Sequence, residues 1–142
     1  MPSNELTIGQ IYEISGGFWK SFILHAAVKL DIFTLIGNEN LGAEQIAKKA
    51  KSSIRGTKML LNALVAMGLL IKHEDQYANT ELGRTYLIKD SPKYGGHIIM
   101  HHHNLVEAWS KLSESIQSGG PAKTRSLDDE SELESFLMGM FN

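Results

Sequence analysis

The chain has no cysteine, so neither disulfides nor thiolate chemistry can contribute, and a cytosolic setting is expected. It lacks any uncharged apolar run near the ~20 residues needed to span a bilayer. The opening residues, MPSNELTIGQ, lack the basic segment and apolar stretch of a signal peptide. Net charge is only −2, which argues against a dedicated nucleic-acid binder. There is no Gly-x-Gly and no Gly-x-x-x-x-Gly-Lys, so no glycine loop for a dinucleotide, S-adenosylmethionine or a nucleoside triphosphate. What remains is 142 residues, 42% hydrophobic and 21% charged, the composition of one soluble globular domain.

Periodicity and stop signals divide the chain into helices. Residues 4–15 read as a short helix broken by Gly16 and Gly17. Next comes FWKSFILHAAVKLDIFTLI (18–36), with Trp19, Phe22, Ile23, Ala26 and Leu30 at helical spacing and Gly37 as its stop. Residues 42–50 form a short helix. Residues 52–68 form a longer one, capped by Ser52 or Ser53 and stopped at Gly68. Leu69–Lys72 and Gln76–Ala78 flank a polar turn and predict a small hairpin, after which Thr80 caps ELGRTYLI. Helix, turn, helix and hairpin in this order describe a winged helix-turn-helix. After Pro92, one long helix is expected from about Lys93 to Ser118, ended by Gly119, Gly120 and Pro121. A polar loop (122–130) leads to a last helix starting near Asp129 or Ser131, with Ser131 and Glu134 at capping-box spacing. The acids Asp128, Asp129, Glu130, Glu132 and Glu134 suit the start of that helix as a solvated face. Its apolar run to Asn142 suggests that the chain continues beyond this sequence.

GGHIIMHHHN (95–104) holds four histidines. At ~100° per residue, Ile98, Leu105, Trp109, Leu112 and Ile116 form one apolar stripe. His102 falls within it and His101 at its edge, where packed, hydrogen-bonded core histidines are expected. His103 falls opposite, with Glu107. Three consecutive helical histidines point three ways, and the pair His97/His101 lacks a third ligand, so no metal site is expected. Ile99 and Met100 fall toward the polar side beside His103, so that face must also meet something.

The segment from Leu41 to Lys72 carries Lys48, Lys49, Lys51, Arg55, Lys58 and Lys72 against the single acid Glu44, a point in favour of nucleic acid. The would-be recognition helix then reads MLLNALVAMG, with Asn62 its one hydrogen-bonding side chain. Base readout needs several such groups along one exposed face, and a helix apolar nearly all round belongs in a core or a subunit interface. A stand-alone winged-helix regulator binding DNA phosphates through these cations is thus the alternative reading, and a bare oligomerisation module a third. No nucleophile is paired with a base anywhere, so no catalytic residue is assigned.

Several weak motifs follow one another along the chain: Ala-x-x-Leu-Asp (27–31), Leu-x-x-Ala-x-x-x-Gly-Leu-Leu (61–70), Tyr-x-x-Thr-x-x-Gly (77–83), and Trp-x-x-Leu ending in Gly-Gly-Pro (109–121). In this order they resemble the N-terminal domain of S-adenosylmethionine-dependent O-methyltransferases of the plant phenolic and bacterial natural-product type. The resemblance implies a mainly α, winged-helix-like domain over 1–121 that forms a homodimer through helices 18–36 and 53–67. It implies that 122–142 is a loop and the start of a helix leading to a Rossmann-like domain. That following domain would hold S-adenosylmethionine and the catalytic base, leaving this chain no cofactor of its own. It further implies a wall for a small hydroxyl-bearing acceptor at Ile99, Met100, His103, Phe136 and Met140. Tyr12 and Gly16 match a segment reaching into the partner subunit's pocket. The histidine run departs from the plant pattern, so the acceptor need not be a plant-type phenol.

Overall fold

A computed structural model of the chain describes residues 5–121 and 130–140. Helix α1 spans Ile8–Gly16. Thr7 caps it reciprocally: the Gln10 amide donates to Thr7 Oγ1 at 3.3 Å, and the Thr7 amide donates to Gln10 Oε1 at 2.8 Å. None of the α1 residues is buried. The break expected at two glycines is one residue, Gly17, after which α2 (Phe18–Lys29) begins.

The single helix expected over 18–36 is two. α2 ends at Leu30, Asp31 turns into the left-handed region at φ 56°, and α3 runs Ile32–Ile36. Aspartate tolerates this conformation better than most residues. Here its carboxylate is also held by Lys89 Nζ at 2.7 Å. The turn drives Ile32, Phe33 and Ile36 into the centre, each no more than 1% exposed. Ile32, Phe33 and Ile36 are thus taken up by the core, while Leu30 just before the turn stays 40% exposed.

Strand β1 (Leu41–Gly42) leads into α4 (Ala43–Lys49) and α5 (Ile54–Ala66). Ser53 caps α5 by accepting the Gly56 amide at 3.1 Å, and Gly68 follows the helix at φ +74°. Strands β2 (Leu70–His73) and β3 (Gln76–Asn79) form the hairpin. The sheet is antiparallel in the order β1-β3-β2, with Leu41 opposite Tyr77 and Lys72 opposite Tyr77 on the other side. Two-residue β1 was not anticipated. Thr80 caps α6 (Glu81–Tyr86), accepting the Gly83 amide at 3.0 Å. This is the winged-helix arrangement that the sequence predicted.

The core joins Ala27 and Val28 of α2, Phe33 of α3, Ile46 of α4, Leu61 and Leu64 of α5, and Tyr77 of β3. Asn79 is buried among them: its Nδ2 donates to the carbonyls of Phe33 and Gly37, both at 2.8 Å. It thereby supplies a donor to the Gly37 carbonyl just past α3 and a second one to the Phe33 carbonyl, which already takes the Gly37 amide at 3.0 Å.

The long helix expected over 93–118 begins three residues later and bends. α7 spans Gly96–Ser110, Lys111 interrupts it, and α8 spans Leu112–Ser118. Gly119 then ends α8 at φ +73°. The loop expected at 122–130 lies outside the described residues except for Glu130. Helix α9 is described from Glu130 to Met140, so Ser131 lies within it rather than capping it. α9 packs along α7.

Candidate functional site

Helix α7 has two apolar faces, and the structure inverts their expected roles. Ile99 and Met100 pack against the buried core. His103 meets α2, its ring 5.3 Å from that of His25 and 6.3 Å from that of Phe22. The side read as polar is thus the inner side, which explains the two misplaced apolar residues. The continuous stripe faces outward. Ile98 lies under Gly139 of α9, where a Cβ would come within 3.2 Å of its Cδ1. Beyond α9's reach, Trp109 is 66% and Ile116 72% exposed.

The expectation for the histidine run is corrected accordingly. His102 is exposed, and His101 stacks on Phe136 of α9 at 5.3 Å rather than entering the core. His97 turns to Tyr94, ring to ring at 5.2 Å. Among the described residues, no three His, Cys, Asp or Glu side chains gather as a metal site would require.

The buried histidine is one that sequence reasoning passed over. His25 is 6% exposed. Its Nδ1, like that of His103, is shut away from solvent without a hydrogen-bond partner. Burial holds His25 below the ordinary imidazole range, with His103 and then His102 adding electrostatic repulsion. A lone histidine in an apolar helix gave no signal, because its partner lies far along the chain.

A cleft of about 400 Å³ opens between α2, the α6–α7 connection and α7. Val28, Lys29, Asp31, Lys89, Tyr94, Gly96, His97, Met100 and Glu134 line it. Lys89 is held above its ordinary range, chiefly by its hydrogen bond to Asp31, and burial raises the Tyr94 phenol. Of the seven expected acceptor-site residues, the cleft takes in Met100 alone. Ile99 and His103 lie on the same inner face of α7, while Phe136 reaches the opposite face. Met140 is 67% exposed and Tyr12 68%. Gly16 sits under the ring of Trp19, where a Cβ would come within 3.1 Å. Among the described residues they are grouped by helix face.

The would-be recognition helix is occupied. Thr57, Leu61 and Leu64 of α5 are buried in the core. The Tyr77 hydroxyl donates to Asn62 Oδ1 at 2.8 Å, and Lys72 Nζ approaches the same oxygen at 3.5 Å. Tyr77→Phe is expected to cost about 1 kcal/mol, the net worth of one such bond. Urea denaturation would measure it.

The dimensions of the domain now meet its relatives. The model for the O-methyltransferase dimerisation domain matches residues 12–89. The chain belongs to that family. It is 34% identical over 113 residues to the tetracenomycin polyketide synthesis 8-O-methyl transferase TcmO of Streptomyces glaucescens, covering 78% of this chain and 33% of that protein. It is 34% identical over 116 residues to acetylserotonin O-methyltransferase of Gallus gallus, covering 77% and 34%. Among solved structures, an O-methyltransferase family protein from Burkholderia thailandensis superposes with a TM-score of 0.86 at 27% identity, covering 96% of this chain and 42% of that one. The chain thus spans about a third of the length of these curated relatives.

Methyltransferases of this family imply S-adenosylmethionine, so the described residues must be tested against it. The sheet is three-stranded and antiparallel, the positive-φ glycines Gly37, Gly68 and Gly119 follow helices, and Gly42, which does join β1 to α4, is extended at φ −73° with its amide already donated to Gln45 Oε1 at 2.9 Å. A phosphate- or nucleoside-type cradle needs a glycine turn between a strand and a helix start. The described residues therefore do not fit the cofactor. No described helix is long and apolar enough to cross a membrane.

Proposed function

We propose that this chain is the dimerising and acceptor-capping part of an S-adenosylmethionine-dependent O-methyltransferase acting on a small hydroxyl-bearing molecule. Residues 1–121 are the dimerisation domain. The segment from 122 onward leads to the domain that binds the cofactor and supplies the base. The setting is cytosolic, as the missing cysteines suggest. This chain contributes shape, water exclusion and orientation to methyl transfer rather than proton transfer. The inner-face residues Ile99, Met100 and His103, with Phe136 and Met140 of α9, belong to the acceptor wall. Tyr12 and Gly16 belong to the wall of the partner subunit's pocket.

One observation carries the reading. In a family of dimerisation domains, α1 and the start of α2 expose a run of large apolar side chains: Ile8, Ile11, Ile14, Phe18 and Trp19. Phe18 stacks edge-on against both Trp19 and Phe22 (5.7 and 6.3 Å), making one aromatic ledge. A monomer does not leave so long an apolar strip in water. On α5, the second expected helix, Ile54 and Met59 are exposed as well.

Light scattering at tens of micromolar is expected to give a homodimer. Trp19→Glu should raise the dissociation constant at least about 30-fold, as loss of a central aromatic anchor does. A monomeric wild type would sink the proposal. So would micromolar S-adenosylmethionine binding to this chain by calorimetry, because that places the cofactor in the wrong domain.

A further inference from the structure

We infer that the contact of His25 with His103 is an acid-sensitive latch: protonating His25 loosens α7 from α2 and moves the face carrying Ile99 and Met100. The latch stands on the geometry of the two helices. Its bearing on the acceptor wall rests on the function proposed above.

The rings cross nearly perpendicular at 5.3 Å, with Phe22 against both. Both Nδ1 atoms are buried and unpartnered. While neutral, each ring can keep its proton on Nε2 and leave Nδ1 as a bare lone pair, the less costly way to bury an unmet polar atom. A proton added at Nδ1 becomes a buried N–H with no acceptor.

Among the described residues, no neighbouring group offsets this. The groups bearing on His25 are His103 and His102, both of the same sign once charged. On α7, Glu107 is one turn beyond His103, is exposed and engages Lys111 at 3.4 Å. His97 and His101 turn away to Tyr94 and Phe136. Asp31, leading into α3, is closed by Lys89. Arg55 and Lys58 of α5 are exposed cations. Glu134 of α9 lines the cleft rather than the histidine contact.

The sign follows from burial. His25 is harder to protonate folded than opened, so the closed state is favoured above the ordinary imidazole value of 6.5 and loses ground as pH falls below it. The loss continues until the lower folded value is reached. Each pH unit in that window shifts the opening equilibrium up to about tenfold.

The test is hydrogen exchange along α7 in the 142-residue chain, corrected for intrinsic rate, between about pH 7.5 and 5.5. Protection of the α7 amides should fall at least about fivefold. In His25→Phe, which keeps a ring beside Phe22 but removes the titrating group, the fall should shrink to within about twofold. Protection that does not depend on pH in the wild type overturns the latch, and so does an undiminished fall in His25→Phe. If circular dichroism shows His25→Phe unfolded, His25→Leu is read by the same two criteria. Light scattering at both pH values follows the dimer separately, so a failed dimer and a failed latch are told apart.

Discussion

Phe33→Ala is expected to destabilise the domain by about 3–5 kcal/mol, the usual cost of emptying a buried phenylalanine site. Phe33 is 1% exposed and sits on α3 at the meeting point of α2, α4 and β3. The site has little freedom to collapse, because the α2–α3 turn is fixed by the left-handed Asp31 and its tie to Lys89. For a domain of this size the melting temperature should drop by roughly 10–20 °C. Urea unfolding should show a lower midpoint with an unchanged slope. Both proteins must be compared at one concentration, because dimerisation adds its own stabilisation. A loss under about 1 kcal/mol would mean that α3 is not the centre of the core.

Asn79→Leu should also be costly, about 2–4 kcal/mol, although it keeps the volume and adds apolar surface. The asparagine is 1% exposed and spans two backbone carbonyls, those of Phe33 and Gly37. Leucine leaves the Gly37 carbonyl without its side-chain donor and the Phe33 carbonyl with the Gly37 amide alone. Its effect should be local as well as global. Amides at the end of α3 should exchange faster than those of α5 even where the domain remains folded. A neutral substitution would show that water reaches these carbonyls. Asn79→Asp should fare no better, since a carboxylate offers acceptors where donors are needed.

The winged-helix order was legible because its boundaries are chemical. Ser53, Thr80, Gly68 and Gly119 cap or stop helices as their residue types dictate. The break at Asp31 was not legible. KLDIFTLI keeps helical spacing across it, and a left-handed aspartate carries none of the signal that a glycine would. Strand β1 was hidden for another reason: two residues have no pattern, and what makes them a strand is pairing with β3, distant in sequence. For α7 the spacing correctly separated two apolar faces. It could not rank them, because which face is inner depends on α2. The longer stripe is the outer one, and the shorter, histidine-bearing face is the one the core claims. The proposed acceptor positions come from resemblance alone, because they fall on more than one helix face and share no local pattern. His25 was invisible because its meaning lies in His103.

Asn62 has a consequence for what the scaffold could become. Its oxygen receives the Tyr77 hydroxyl, while Lys72 stands over the Tyr77 ring at 5.3 Å. The polar tooth that α5 would need for telling one base from another is spent on tying the helix to its own wing. Giving this surface more lysines would add grip on any polyanion without discrimination among sequences. Recovering discrimination would first require cutting a tie that helps hold the domain together, so the path back to reading DNA runs through a less stable protein.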